Sequence, residues 1–241
     1  MKRKALFCVM AISVLAMCLF AASTPSVTHA DDFDNPKAGA VKWKVVDYNR
    51  NTTHPARIPF KLAVGNDGGI GFDFLYTPDT ALLGTSHPSY RNDLIGDMSG
   101  KTVSARVGVS VTSGNPVFTY YGQPSCGDVP ANVRLYFETN TSGKFEETDY
   151  WWSNPMSYSL ESLKSSDQNL VAVFSDPTEW SDYNGHFGSD PAYTAAFAAA
   201  VKDVQFVGLS FGGGCFFENG VGIQPGTGSA YFRLMDFTAT P

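Results

Sequence analysis

The stretch Thr102–Thr112, TVSARVGVSVT, constrains the fold more than any other part of the chain. Val103, Ala105, Val107, Val109 and Val111 fall on one side of an extended backbone. Thr102, Ser104, Arg106, Gly108, Ser110 and Thr112 fall on the other. Period-two alternation of this length is the pattern of a strand with one face in a core. A strand of this kind needs partners to cover its apolar face. The chain supplies further runs at 41–48, 58–64, 70–76, 117–121, 132–139, 170–175, 204–211 and 230–239. In 132–139, Val133, Leu135 and Phe137 alternate with Arg134, Tyr136 and Glu138. NDGG (66–69) and SGNP (113–116) are turn signals between runs. Many short strands with Gly and Pro punctuation predict an all-β, antiparallel β-sandwich of jelly-roll type. One short helix interrupts the pattern: Asp190 is placed to cap, Pro191 suits the first turn, and Tyr193, Ala196, Phe197, Ala200 and Val201 recur at helical spacing. This predicts a helix over 191–202.

The N-terminus reads as an address. MKRK is basic, 5–22 is apolar, and STPSVTHA ends in small residues. That is the pattern of a secretory signal peptide over 1–30. A lead-in over 31–40, read as mobile, and a single sandwich domain over 41–241 follow from it. Cleavage removes Lys2, Arg3 and Lys4 and no acid, so a formal net charge of −6 becomes −9. An acidic chain is a poor match for phosphate backbones, which argues against nucleic-acid partners. No membrane span is expected after cleavage, and the protein is placed in the cell envelope or outside the cell. Of the four cysteines, Cys126 and Cys215 remain. In an exported protein they most simply form one disulfide, closing a loop of about 90 residues. Two free buried thiols are the alternative.

Three stretches carry a resemblance: YYGQPSCGDVPANVRLYFE (120–138), TDYWWSNP (148–155) with DPTEWSDYNGHF (176–187), and VGLSFGGGCFFENGVG (207–222). Together they resemble a family of uncharacterised secreted bacterial proteins, similar to galactose-binding-like or laminin-B-type jelly rolls. The resemblance implies a sandwich fold and export, and no particular chemistry.

Two ring clusters are candidates for function. The first is Tyr150, Trp151 and Trp152 with Asp149 and Asn154; the second is Trp180, Asp182, Tyr183 and Asn184. An exposed indole offers a flat apolar platform for a sugar ring, and neighbouring amides and carboxylates hydrogen-bond hydroxyls. Trp151 and Trp152 point to opposite faces of an extended chain. One of the two can be core while the other is exposed, and the carbohydrate reading takes Trp151, Trp152, Trp180 and Tyr183 as stacking candidates, with Asp149, Asn154, Asp182 and Asn184 supplying hydrogen bonds. The alternative is that the rings are core. Asp176, Asp182, Asn184 and Asp190 are hard oxygen ligands in a range that suits calcium, although the full EF-hand spacing is absent. No other cofactor is implied.

Enzyme signals are sparse. There is no GxSxG elbow, and Gly212–Gly214 lacks the Lys-Ser/Thr of a phosphate loop. Glu138 and Glu218 are the acids nearest strand ends for a glycosidase-type pair. The leading expectation is a secreted noncatalytic binding module for carbohydrate. A structural or adhesive surface protein that binds other proteins is second, and a glycosidase-like jelly roll third.

Overall fold

The computed structural model describes residues 33, 40–47, 53–55, 69–122, 129–139, 146–214 and 217–241. The expected signal segment, the 58–64 run and the Cys126–Cys215 bridge lie outside them. Among the described residues, no helix is long and apolar enough to cross a membrane.

The chain is an antiparallel β-sandwich. Its strands in chain order are β1 (Lys44–Asp47), β2 (Thr53–Pro55), β3 (Ile70–Asp73), β4 (Thr80–Thr85), β5 (Thr102–Gly114), β6 (Phe118–Tyr120) and β7 (Asn132–Glu138). Then come β8 (Tyr150–Ser159), β9 (Gln168–Val173), β10 (Trp180–Ser181), β11 (Phe206–Gly212), β12 (Val221–Ile223) and β13 (Gly228–Thr240). One sheet has nine strands, in the order β10-β8-β7-β11-β4-β1-β2, with β12 bridging β4 and β6. The other has four, in the order β3-β13-β5-β9.

The alternation read from β5 builds the core as expected, up to a point. Val103, Ala105, Val107 and Val109 are buried, whereas Val111 is 42% exposed. The reason is length. β9 pairs only with Thr102–Val107, so the far end of β5 runs on with β13 as its neighbour. Facing them, Val133, Leu135 and Phe137 of β7 and Val207, Leu209 and Phe211 of β11 join the same cluster. The core also takes Phe33, fully buried against Trp43 with ring centroids 5.7 Å apart. A ring expected in the lead-in thus packs inside the sandwich.

The predicted helix is shorter than its sequence pattern. The helix α1 spans Thr194–Ala200 and buries Phe197 and Ala200. Asp190 does not cap it: the carboxylate accepts from Phe187 N at 2.9 Å, and residues 191–193 form a turn.

The outer faces of the two sheets differ. The small sheet carries polar pairs: Arg106 with Asp236, Arg233 with Asp167, and Ser104 with Thr238. The large sheet carries a second apolar cluster, formed by Ala81, Leu82, Tyr136, Tyr150, Trp152 and Phe206. β7 and β11 are buried on both faces along their whole length. A solvated sheet face alternates polar residues outward. The outer face of the large sheet departs from that rule.

Candidate binding face

Register places the rings of this face. Tyr136 of β7 stands opposite Trp152 of β8 on one side and Gly208 of β11 on the other. Tyr136 and Trp152 lie 5.0 Å apart, and Tyr150 stacks on Trp152 at 6.4 Å. Trp152 is also 6.2 Å from Tyr183 and 6.5 Å from Phe217. Its indole N–H donates to Ser210 Oγ at 3.0 Å, and Ser210 Oγ in turn donates to the Phe217 carbonyl. A buried indole needs such an acceptor, and this one also fixes the turn that carries Phe217.

Beside Tyr136 the two strands lose step. Between the pairs Tyr136–Trp152 and Arg134–Ser157, β7 advances two residues and β8 advances five. The interposed stretch contains Asn154-Pro155, and proline cannot donate to a sheet ladder. The stranded N–H of Leu135 is met by Ser153 Oγ at 3.1 Å. The Ser153 carbonyl accepts from Arg134 Nη1 at 3.2 Å, and Asn132 Oδ1 accepts from Arg134 Nη2 at 3.3 Å. The Arg134 guanidinium lies 3.6 Å from the centre of the Phe217 ring. Glu138, on the same face, accepts from the Tyr136 hydroxyl.

The rim is the loop after β10. Asp182 is buried and its carboxylate is filled locally. Oδ1 accepts from Asn184 N at 3.0 Å and His186 N at 2.9 Å, while Oδ2 lies 3.0 Å from His186 Nδ1. Gly185 adopts φ +85°, which allows the tight reversal. His186 stacks on Tyr193 at 4.1 Å, with Nε2 3.2 Å from the Tyr193 hydroxyl. Desolvation first, and then Asp182, Glu147 and Asp190, push the Tyr193 hydroxyl above its ordinary pKa. The loop therefore holds its shape from inside and presents Tyr183, Asn184 and Phe187 outward. Tyr183 is 46% exposed.

These positions correct the expected site. Trp151 and Trp180 are fully buried between the sheets and offer no platform. Trp151 packs edge-on against Phe197 at 4.9 Å, and Trp180 stacks on Phe174 at 5.2 Å. Their indole N–H groups donate to the carbonyls of Thr148 and Val173, which makes burial cheap. Trp152 faces outward but is only 3% exposed, covered by its neighbours on the outer face. Of the four expected rings, Tyr183 alone meets solvent. Asp182 is consumed in its own loop, Asn184 is exposed, and Asp149 and Asn154 are partly buried. Among the described residues, Asp176, Asp190 and Asp182 do not gather as one cation cage. The acids and histidine that do converge are Glu147, Asp182 and His186, with ligand atoms within 4.8 Å of one another. Asp176 instead caps a short turn, accepting from Thr178 N and Oγ1.

Sequence reasoning passed over Arg134, Tyr136 and Phe217. For Arg134 and Tyr136 the signal was present in the outward positions of NVRLYFE, next to the strand that carries Trp152, whereas Phe217 arrives from a distant turn. That signal lacked the pairing order.

No protein-family model and no curated protein matches the chain. Among solved structures it is similar to a xylan-binding module, CBM15, at TM-score 0.34 and 10% identity, over 80% of this chain and 90% of that one. It is also similar to the L4b domain of human laminin alpha-2, at TM-score 0.40 and 12% identity, over 85% of this chain and 94% of that one. At these values the likeness does not carry either protein's binding partners to this chain.

Proposed function

We propose that the protein is a secreted, noncatalytic carbohydrate-binding module, and that the outer face of the large sheet with its Tyr183 rim is the binding face. The observation that carries this reading is the exposed Tyr183 ring on a loop pinned from within by buried Asp182. A flat ring held in place before binding loses little freedom on contact, which favours stacking on the C–H face of a sugar. Trp152 backs that ring, and the exposed residues Asn184, next in the chain, and Glu147, whose carbonyl accepts from Tyr183 N, offer hydrogen-bonding side chains on the same loop region. The catalytic alternative has less support, because the Glu138 carboxylate is buried and engaged by Tyr136.

A glycan array, followed by affinity electrophoresis with Tyr183→Ala, tests the reading. The expected result is retention by at least one polysaccharide that falls about tenfold or more in the variant, with an unchanged melting temperature. A wild-type protein that ignores every glycan but binds a cell-wall protein supports the adhesive reading instead.

A further inference from the structure

Arg134 is the buried charge that the packing leaves unexplained. The residue is 6% exposed. Its two hydrogen bonds go to neutral acceptors, the Ser153 carbonyl and Asn132 Oδ1. A guanidinium has five N–H donors, so most of its capacity is unused. Nε is buried and has no hydrogen-bond partner. Among the described residues no carboxylate forms an ion pair with it. Glu138 lies on the same strand face but four residues along, roughly 13 Å away at about 3.3 Å per residue. Burial pushes Arg134 down to about 10, so it is still a cation at neutral pH. A buried cation without a counter-ion is costly, and fold stability alone is better served by an apolar residue of similar size.

The position of this charge is informative. Phe217 is half-buried, touches the guanidinium face and neighbours Trp152, which in turn neighbours Tyr183. A chain of ring contacts, passing through buried Trp152, thus links an exposed ring to a cation with no counter-ion. We infer that Arg134 is the anion-recognition point of this face and that the glycan bound there carries a carboxylate, as a uronate does. The inference rests on the carbohydrate reading above. A carboxylate accepts two parallel N–H bonds from a guanidinium edge, a geometry that a hydroxyl cannot match. Phe217 lies over the guanidinium and 6.5 Å from Trp152, so a ligand that shifts its ring also changes the surroundings of the Trp152 indole. The acidic balance of the chain opposes long polyanions at a distance. At physiological ionic strength such repulsion is screened beyond about 8 Å. Short oligosaccharides are therefore the right probes.

Calorimetric titration with trigalacturonate, its fully methyl-esterified form and neutral galactotriose tests the inference on wild type, Arg134→Met, Arg134→Lys and Tyr183→Ala. The wild type is expected to bind the acid at least tenfold more tightly than the ester, with a shift of the Trp152 indole N–H signal in a parallel NMR titration. Arg134→Met erases that preference, and Arg134→Lys keeps only part of it. Equal affinity for acid and ester overturns the inference, as does a preference that survives Arg134→Met. If acid and ester bind equally and both are lost in Tyr183→Ala, the carbohydrate reading stands and the uronate inference falls. If none of the three sugars binds and the array is blank, both fall. Should Arg134→Met fail to fold, the acid–ester comparison on wild type and Arg134→Lys decides the matter.

Discussion

Trp151 and Trp152 are neighbours in sequence and belong to different layers. Trp151 fills the space between the sheets, against Phe137 and Phe197, while Trp152 lies on the outer face against Tyr136 and Tyr150. That division was legible, because successive side chains of an extended segment point to opposite faces. Which outward ring meets water was not legible. It depends on Phe217 and the 182–186 loop, which reach Trp152 from distant parts of the chain. The same geometry separates two substitutions of large rings. Trp151→Ala removes a fully buried indole and is expected to cost about 3–5 kcal/mol in denaturant unfolding. Tyr183→Ala removes a half-exposed ring and is expected to stay within about 0.5 kcal/mol. A Tyr183→Ala variant as damaged as Trp151→Ala would mean that the ring is structural.

At the scale of elements, the strands with clean alternation were the readable ones. β5, β7 and β13 appear close to where their patterns put them. From sequence β8 stands out as a ring cluster and not as a strand, because Asn154-Pro155 and the register shift it accompanies break the period. β4, TALLGT, has no alternation to detect and is recognised by its neighbours β1, β11 and β12. Its pairing with β11 rests on two facing glycines, Gly84 and Gly208. A Cβ on Gly208 would stand 2.2 Å from the Leu83 carbonyl oxygen and 2.5 Å from the Gly84 Cα, both backbone atoms. Gly208→Ala is therefore expected to part β4 from β11, which amide exchange reads as lost protection at Leu82–Gly84; full protection in the variant would show that the strands can yield. The turn Pro177–Glu179 leads into β10 and is capped by Asp176. Hydrogen bonds from the Thr178 hydroxyl and backbone hold the Asp176 carboxyl below its usual range. A carboxyl depressed in the folded state contributes stability above its unfolded pKa of about 4, and that contribution is lost as pH falls through the folded value. The melting-temperature gap between wild type and Asp176→Ala should thus hold at neutral pH and close in acid. A gap that widens on acidification contradicts this account.

For the whole molecule, the sandwich itself followed from many short strands and from the number of rings that had to be enclosed. The strand order did not, since β7 has β8 and β11 as neighbours and the latter is about 70 residues away, a separation at which local pattern carries little information about pairing. That order is what assembles Arg134, Tyr136, Trp152 and Phe217 on one outer face. The claim that this face binds sugar can be separated from binding anywhere else on the molecule. A groove of about 310 Å³ around Phe118 and Tyr120 is the natural competitor. The four indoles distinguish the two, because Trp152 alone belongs to the outer cluster, while Trp43, Trp151 and Trp180 belong to the core. The decisive measurement is a heteronuclear NMR titration with the tightest oligosaccharide of the array, following the four indole N–H signals and the backbone amides. Sugar bound at the outer face shifts the Trp152 indole and the amides of Tyr183 and Phe217, while the indoles of Trp43, Trp151 and Trp180 stay in place. Shifts confined to Phe118–Tyr120, with Trp152 unmoved, would contradict that claim.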